Sequence, residues 1–132
     1  MPRGGTLTVV EPPSGPGVRV DTYGYAGYRT NPNFDSLLAK LIVHSPSPDF
    51  ADALARAERA LAAFRLEGAP SNIAFLRALL AHKDFRADKV HTRFVDEHAK
   101  VLIAAAAFEA VLALAQKVNG GPLGLPRVIE NP

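Results

Sequence analysis

The 132-residue chain contains no cysteine. Without thiols it forms no disulfide framework, offers no thiolate to a metal and has no cysteine nucleophile. This composition is consistent with an intracellular location, and we expect the protein to be cytoplasmic.

Long apolar runs are also absent. The longest, residues 101–115, is interrupted by Glu109, and it falls short of the roughly 20 residues that cross a bilayer. The segment from Met1 to Gly5 lacks the apolar core of a signal peptide. The sequence therefore predicts neither a membrane span nor a targeting segment.

No large excess of one charge marks the chain, because its net charge is only +2 although its pI is near 9.2. The basic residues are scattered singly among acids, so no stripe would release several counterions from a nucleic acid. Apolar residues make up 48 % and charged residues 21 %, as in ordinary globular proteins. We therefore expect one soluble domain without a nucleic-acid partner.

The N-terminal third of the chain alternates strand-like runs with turns. Strands are predicted at residues 6–10, at 18–23 and at the end of the run 34–44, with turns rich in proline or glycine at 12–17 and 27–33. The run 18–23 alternates in period two, so Arg19 lies on the face opposite Val18 and Val20 and points out of the domain core.

The first predicted helix has Ser47 as its N-cap, Pro48 at its first position and Asp49 near the positive end of its dipole. Its buried face is predicted from residues at three- and four-residue steps: Phe50, Leu54, Ala57, Leu61 and Phe64. On the opposite side, Asp52 and Arg56 form an i,i+4 pair. A link with Gly68 and Pro70 ends this helix.

Two further helices are predicted. Ser71 caps the second, whose apolar side consists of Phe75, Leu76, Leu79 and Leu80. After a link at 82–93, an alanine-rich helix spans about residues 94–117, and its nearly continuous apolar surface predicts packing against more than one neighbour. The tail, residues 119–132, has the composition of a linker. These elements together predict an α+β domain.

The sequence lacks residue patterns that are typical of a complete catalytic or metal site. Four histidines are far apart, with no second histidine or carboxylate at metal-ligand spacing: His44, His82, His91 and His98. We interpret them as surface or helix-end residues. Asp96 and Glu97 are adjacent and point in different directions from a helix, so they do not form an acid–base pair. The residues alone predict no catalytic, metal or cofactor site.

An ordered series of motifs resembles the biotin carboxylase C-terminal domain. It begins with Gly17-Val18-Arg19, Tyr25-Ala26-Gly27-Tyr28 and, after the Asn31-Pro32 turn, the run from Phe34 to Ile42. It continues with Glu67-Gly68, Ser71-Asn72-Ile73, Phe75-Leu76, His82 with Phe85, and Thr92 with Phe94. The series covers roughly residues 6–98. Asn33 and Phe34 depart from the aromatic residue and the tyrosine that the family usually has there.

The resemblance implies an α+β fold in which a small antiparallel sheet packs with helices. Residues 1–98 would be the biotin carboxylase C-terminal domain, 99–118 a helical extension and 119–132 a flexible tail or linker. The implied parent enzyme is a ligase, a biotin-dependent carboxylase of the acyl-CoA or pyruvate carboxylase type, which uses ATP, bicarbonate, Mg and biotin. Its ATP-grasp domain lies upstream of the matched region. We therefore expect this chain alone to be inactive and to hold none of these cofactors.

The implied partners are the ATP-grasp domain of the same enzyme, a biotin carboxyl carrier domain and, in many members, a second biotin carboxylase subunit. Arg19 and Asp35 align with family positions associated with subunit contacts and are our candidate interface residues. The alternative is that both are solvated surface charges. Lys40 is interpreted as a solvent-facing lysine without a catalytic role.

The alternative function is a free-standing, non-catalytic protein-binding module with the same fold. The two functions differ in whether an ATP-grasp domain is encoded upstream in the same reading frame. The acyl acceptor does not follow from this sequence, because acceptor choice belongs to the carboxyltransferase.

Overall fold

The computed structural model describes residues 4–31 and 37–120, with side chains up to residue 108. The chain divides into two compact units, residues 1–89 and residues 90–132. The domain boundary near residue 98 stays a prediction.

In its described residues, the first unit contains short antiparallel strands and three helices. The strands are β1 (Gly5–Thr6), β2 (Val9–Glu11), β3 (Val18–Thr22), β4 (Arg29–Thr30), β5 (Ala39–Val43) and β6 (Arg65–Glu67). They pair as β1 with β4, β2 with β6 and β3 with β5. The helices are α1 (Phe50–Ala63), α2 (Ile73–Ala81) and α3 (Lys83–Arg86), and α1 contacts β5, α2 and α3. The predicted α+β class, with antiparallel strands packed with helices, is confirmed.

The strand predicted at residues 6–10 is wrong in its continuity, because the chain leaves strand geometry at Leu7 and Thr8. The Leu7 N–H donates to the Tyr28 carbonyl at 2.9 Å, while the Thr8 N–H donates to the Glu67 carbonyl at 2.8 Å. The two halves, β1 and β2, therefore pair with different strands. Leu7 is only 1 % exposed, so the break places an apolar side chain in the core.

Two strands lie where the sequence predicted only connections. β4 falls inside the predicted turn at 27–33, and β6 falls inside the link that was expected to end the first helix. Both are very short, and each is defined by a partner distant in sequence. Local residue patterns do not show with which distant segment a strand will pair.

Helix α1 begins two residues later than predicted. Asp49, and not Ser47, is the N-cap, and its Oδ1 accepts the Ala51 N–H at 3.1 Å. The Ser47 hydroxyl oxygen accepts the Asp49 N–H, and the Ser45 hydroxyl oxygen accepts the Ser47 N–H, both at 3.1 Å. Every second residue of this link thus accepts a hydrogen bond from the backbone two residues further on. We call this segment, residues 45–51, the hydroxyl ladder.

The buried face of α1 consists of Leu54, Ala60 and Leu61. Phe50, predicted to belong to this face, is 42 % exposed. Its ring instead lies tilted against the ring of Phe85 in α3, with centroids 6.3 Å apart. The predicted periodicity is therefore correct in the middle of the helix and wrong at its ends, since Phe64, predicted on this face, lies beyond the helix as its C-cap.

Helix α2 is present, with its predicted apolar residues half-buried. Its N-cap is Asn72, one residue after the predicted Ser71. The Ser71 hydroxyl oxygen still accepts the Ile73 N–H at 3.5 Å. Helix α3 lies in the predicted link and escaped prediction because a single helical turn carries no periodicity.

The predicted i,i+4 pair on α1 is confirmed, since Arg56 Nε donates to Asp52 Oδ2 at 2.9 Å. The Ser45 hydroxyl donates to the same carboxylate oxygen. These hydrogen bonds, from Ser45 first and Arg56 second, hold the pKa of Asp52 below its usual range. The carboxylate therefore ties the β5–α1 link to the first turns of the helix.

This lowered pKa makes the stability of the first unit depend on pH. A carboxyl group whose pKa is lower in the folded than in the unfolded chain stabilises the fold above the unfolded value of about 3.9. That contribution is lost as the pH falls through the folded pKa. We expect Asp52→Asn to reduce the free energy of unfolding at about pH 6 and to have a smaller effect at about pH 3.

Urea titrations followed by tyrosine fluorescence test this expectation. The chain has three tyrosines and no tryptophan, and all three lie between residues 23 and 28, so the signal reports on the first unit. An equal loss for Asp52→Asn at both pH values would contradict the role assigned to the carboxylate.

In the second unit, helix α4 spans Phe94–Gly120. It begins at the predicted residue and ends three residues beyond the predicted end. Phe94 and Leu102 are buried, and the Phe94 ring stacks on His98 with centroids 4.2 Å apart.

The expectation that this helix packs against more than one neighbour stays a prediction, because part of its apolar surface is exposed in this chain. Val101, Ile103 and Phe108 are 60 %, 59 % and 65 % exposed. Beyond residue 120 the predicted tail lies outside the described residues. Over the part of the chain that the structure describes, no helix is long and apolar enough to cross a membrane.

Candidate docking surface

The candidate surface is one side of the β3–β5 ladder. The two strands pair from Val18 with Val43 to Thr22 with Ala39. Directly opposite residues of an antiparallel pair share a face. Arg19 lies opposite Ile42 and Asp21 lies opposite Lys40, so these four residues form one surface, which we call the β3–β5 face.

This face is the solvent side of the ladder. The Arg19 side chain is 69 % exposed and that of Asp21 is 38 % exposed, and Ile42 is 37 % exposed. On the other side, Val18 and Val20 are half-buried. The prediction that Arg19 points away from the core is confirmed.

Arg19 and Asp21 form a two-pronged ion pair along their own strand. Arg19 Nε donates to Asp21 Oδ1 at 3.1 Å, and Arg19 Nη2 donates to Asp21 Oδ2 at 2.9 Å. These hydrogen bonds, assisted by the positive charges of Arg19 and Lys40, lower the pKa of Asp21. The pair uses only part of the guanidinium's donors and fixes its plane over the face.

Of the two predicted interface residues, only Arg19 can be placed. Asp35 lies outside the described residues. The sequence reasoning missed the pairing of Arg19 with Asp21 and the place of Ile42 beside them. The i,i+2 spacing in a strand signals the first, because such residues share a face. The place of Ile42 beside them depends on the register between β3 and β5, which no local pattern contains.

Two of the four histidines lie at helix ends. His82 Nδ1 accepts the Asp84 N–H at 3.1 Å at the start of α3, and His91 Nδ1 accepts the Arg93 N–H at 3.3 Å just before α4. The interpretation of these two as helix-end residues is confirmed. His44 is exposed on the first unit.

The chemistry of the β3–β5 face suits contact with another protein surface. It combines an exposed isoleucine with an oriented guanidinium, and arginine is enriched at protein interfaces. The Asp21 carboxylate is already bonded through both oxygens to Arg19.

Known proteins match most of the chain. The family model of the biotin carboxylase C-terminal domain matches residues 1–97. Biotin carboxylase 1 of Bacillus subtilis (strain 168) is 39 % identical over 98 residues, which are 74 % of this chain and 21 % of that protein. The chain thus spans about a fifth of the length of this relative.

Solved structures agree with the sequence matches. The biotin carboxylase domain of a single-chain bacterial carboxylase has a TM-score of 0.76 and 40 % identity, covering 80 % of this chain and 24 % of that one. The biotin carboxylase domain dimer of the Hydrogenobacter thermophilus 2-oxoglutarate carboxylase, in complex with MgADP and bicarbonate, has a TM-score of 0.69 and 36 % identity over 75 % of this chain and 21 % of that one. From its family match and these likenesses, the chain belongs to the biotin carboxylase C-terminal domain family.

Proposed function

We propose that this chain acts as the C-terminal subdomain of biotin carboxylase within a longer biotin-dependent carboxylase. There it closes one side of the active site and makes subunit or domain contacts. Residues 1–98 would form this subdomain, with a helical extension and a tail following. The observation that carries the proposal is the β3–β5 face, on which the exposed Arg19 is held in a fixed orientation by Asp21.

The proposed partners are the ATP-grasp domain of the same enzyme, the biotin carboxyl carrier domain and a second biotin carboxylase subunit. The dimeric biotin carboxylase domain from Hydrogenobacter thermophilus supports the last of these. ATP, Mg and biotin would be held by the ATP-grasp part. The residues of the β3–β5 face would contribute contacts and no chemical step.

Docking through this face would be sensitive to charge. A guanidinium that meets a partner is partly desolvated, and an unpaired or like charge at such a contact is costly. Arg19→Glu places two acids side by side on β3 and removes the donors that reach outward. In the 132-residue chain the change is expected to have little effect on stability, because exposed ion pairs contribute little.

We expect Arg19→Glu to weaken assembly of the full-length carboxylase that carries this chain by about tenfold or more. Sedimentation velocity over a concentration series measures the change. The matched control is Arg77→Glu, which reverses an exposed charge on α2 and not on a strand of this ladder. The control should assemble like the unaltered enzyme.

Two outcomes would oppose the proposal. If Arg19→Glu and Arg77→Glu assemble equally well and both cleave ATP normally, the β3–β5 face does not dock. If Arg19→Glu assembles normally but loses ATP cleavage at saturating substrate, Arg19 is catalytic and the assigned role is wrong.

A further inference from the structure

Arg56 joins helix α1 to the turn that precedes β3. Its Nε donates to Asp52 Oδ2 at 2.9 Å, and its Nη1 donates to the Pro16 carbonyl at 3.3 Å. The Arg56 side chain is only 26 % exposed. One guanidinium therefore holds two segments that are 40 residues apart in the chain.

The Pro16 turn leads directly into the β3–β5 ladder. The next residue, Gly17, has a φ of +76°, and a Cβ there would lie 2.2 Å from the His44 carbonyl oxygen. The His44 N–H in turn donates to the Gly17 carbonyl at 2.8 Å. Val18 then opens β3 opposite Val43. The position of the turn thus sets how β3 meets β5.

The turn and Arg19 are close in sequence. Only Gly17 and Val18 separate Pro16 from Arg19. A shift of the Pro16 carbonyl would displace Gly17 and Val18, which are held in tight contact with the β5 segment. It would therefore also displace the Arg19 guanidinium on the β3–β5 face. The planar fork of arginine suits this task, because Nε and Nη1 serve different acceptors at fixed angles.

We infer that Arg56 is a positioning residue for the β3–β5 face: by holding Asp52 and the Pro16 carbonyl together, it fixes the turn that presents Arg19 to a docking partner. This inference rests on the docking function proposed above. The alternative is a purely local role, in which Arg56 only stabilises α1 through its i,i+4 pair with Asp52.

Three variants of the 132-residue chain separate these roles. Arg56→Met removes both hydrogen bonds. Arg56→Lys keeps a cation for Asp52 but carries its donors on a single nitrogen, so it loses the planar fork whose separate nitrogens reach Asp52 and the Pro16 carbonyl. Arg59→Met removes the same charge from an exposed position on the same helix and is the matched control.

Amide hydrogen exchange, read residue by residue by NMR, is the first measurement. We expect Arg56→Lys and Arg56→Met to speed exchange of the His44 amide about tenfold or more relative to amides inside α1. Arg59→Met should leave that ratio unchanged. An unchanged ratio in Arg56→Lys, with the chain folded, would overturn the inference even if Arg56→Met fails to fold.

The second measurement is assembly of the full-length carboxylase by sedimentation velocity. Arg56→Lys should weaken assembly in the same direction as Arg19→Glu, whereas Arg59→Met should not. If Arg19→Glu weakens assembly and Arg56→Lys does not, the positioning role is overturned while the docking function stands. If neither weakens assembly, the docking function itself fails, and the exchange ratio still decides whether Arg56 holds the turn.

Discussion

Gly68→Ala is expected to lower the free energy of unfolding by about 2–6 kcal/mol, because backbone strain and steric overlap each cost about 1–3 kcal/mol. Gly68 has a φ of +104°, which side chains rarely adopt. A Cβ there would lie 2.0 Å from the Thr6 carbonyl oxygen and 2.8 Å from the Thr8 nitrogen. Both atoms belong to the backbone, so relief requires moving the segment between β1 and β2. That movement would disturb the 2.8 Å hydrogen bond from Thr8 to Glu67.

Gly27→Ala is the matched control for this prediction. Gly27 has a similar φ of +96°, but a Cβ there would meet nothing within 4 Å. Its expected cost is therefore the strain alone, about 1–3 kcal/mol. Urea unfolding followed by tyrosine fluorescence measures both variants. Equal costs for the two would show that the chain does not pass as close to Gly68 as the structure indicates.

Leu7→Ala is expected to cost about 2–5 kcal/mol, the usual range for truncating a buried leucine. Leu7 is 1 % exposed and lies where the chain passes from β1 to β2, so little freedom exists to close the cavity. Leu41→Ala would have a similar cost if its strand, β5, were central in a sheet. Among the strands in the described residues, β5 pairs only with β3, and Leu41 is half-buried. We therefore expect Leu41→Ala to cost about half as much.

The same urea titrations rank these variants. Thr8→Ala, at the exposed neighbour of Leu7, is the control and should change the free energy of unfolding by no more than about 0.5 kcal/mol. A larger cost for Leu41→Ala than for Leu7→Ala would mean that the core of the first unit centres on β5. A loss below about 0.5 kcal/mol for Leu41→Ala would mean that β5 contributes little to the fold.

Residue patterns predicted the elements whose own sequence carries the signal. The alternation around Arg19 gave the correct exposed side of β3, and the three- and four-residue spacing of Leu54 and Leu61 gave the buried face of α1. The start of α4 at Phe94 was also predicted correctly. In each case the side chains that define the element lie within it.

Most of the features that the sequence did not predict depend on contacts between distant parts of the chain. The break at Leu7, the short strand β6 and the position of Ile42 on the β3–β5 face all depend on pairing with residues far away in sequence. The N-cap was misplaced because Ser47 and Asp49 are both good caps, and the serine hydroxyl takes the Asp49 N–H instead. Asp35 could not be compared, since it lies outside the described residues.

The hydroxyl ladder carries an evolutionary consequence for the length of the β5–α1 link. Its donors, the N–H groups of Ser47, Asp49 and Ala51, lie on alternate residues, and the first donor is flanked by Pro46 and Pro48, which have no N–H. Deleting Pro46 or Ser47 alone would bring the Pro48 nitrogen opposite the Ser45 hydroxyl, where it cannot donate. Deleting both would bring the Asp49 N–H there and preserve the pattern. Homologues that keep the ladder are therefore expected to gain or lose residues here in pairs, so that the link changes length in even steps.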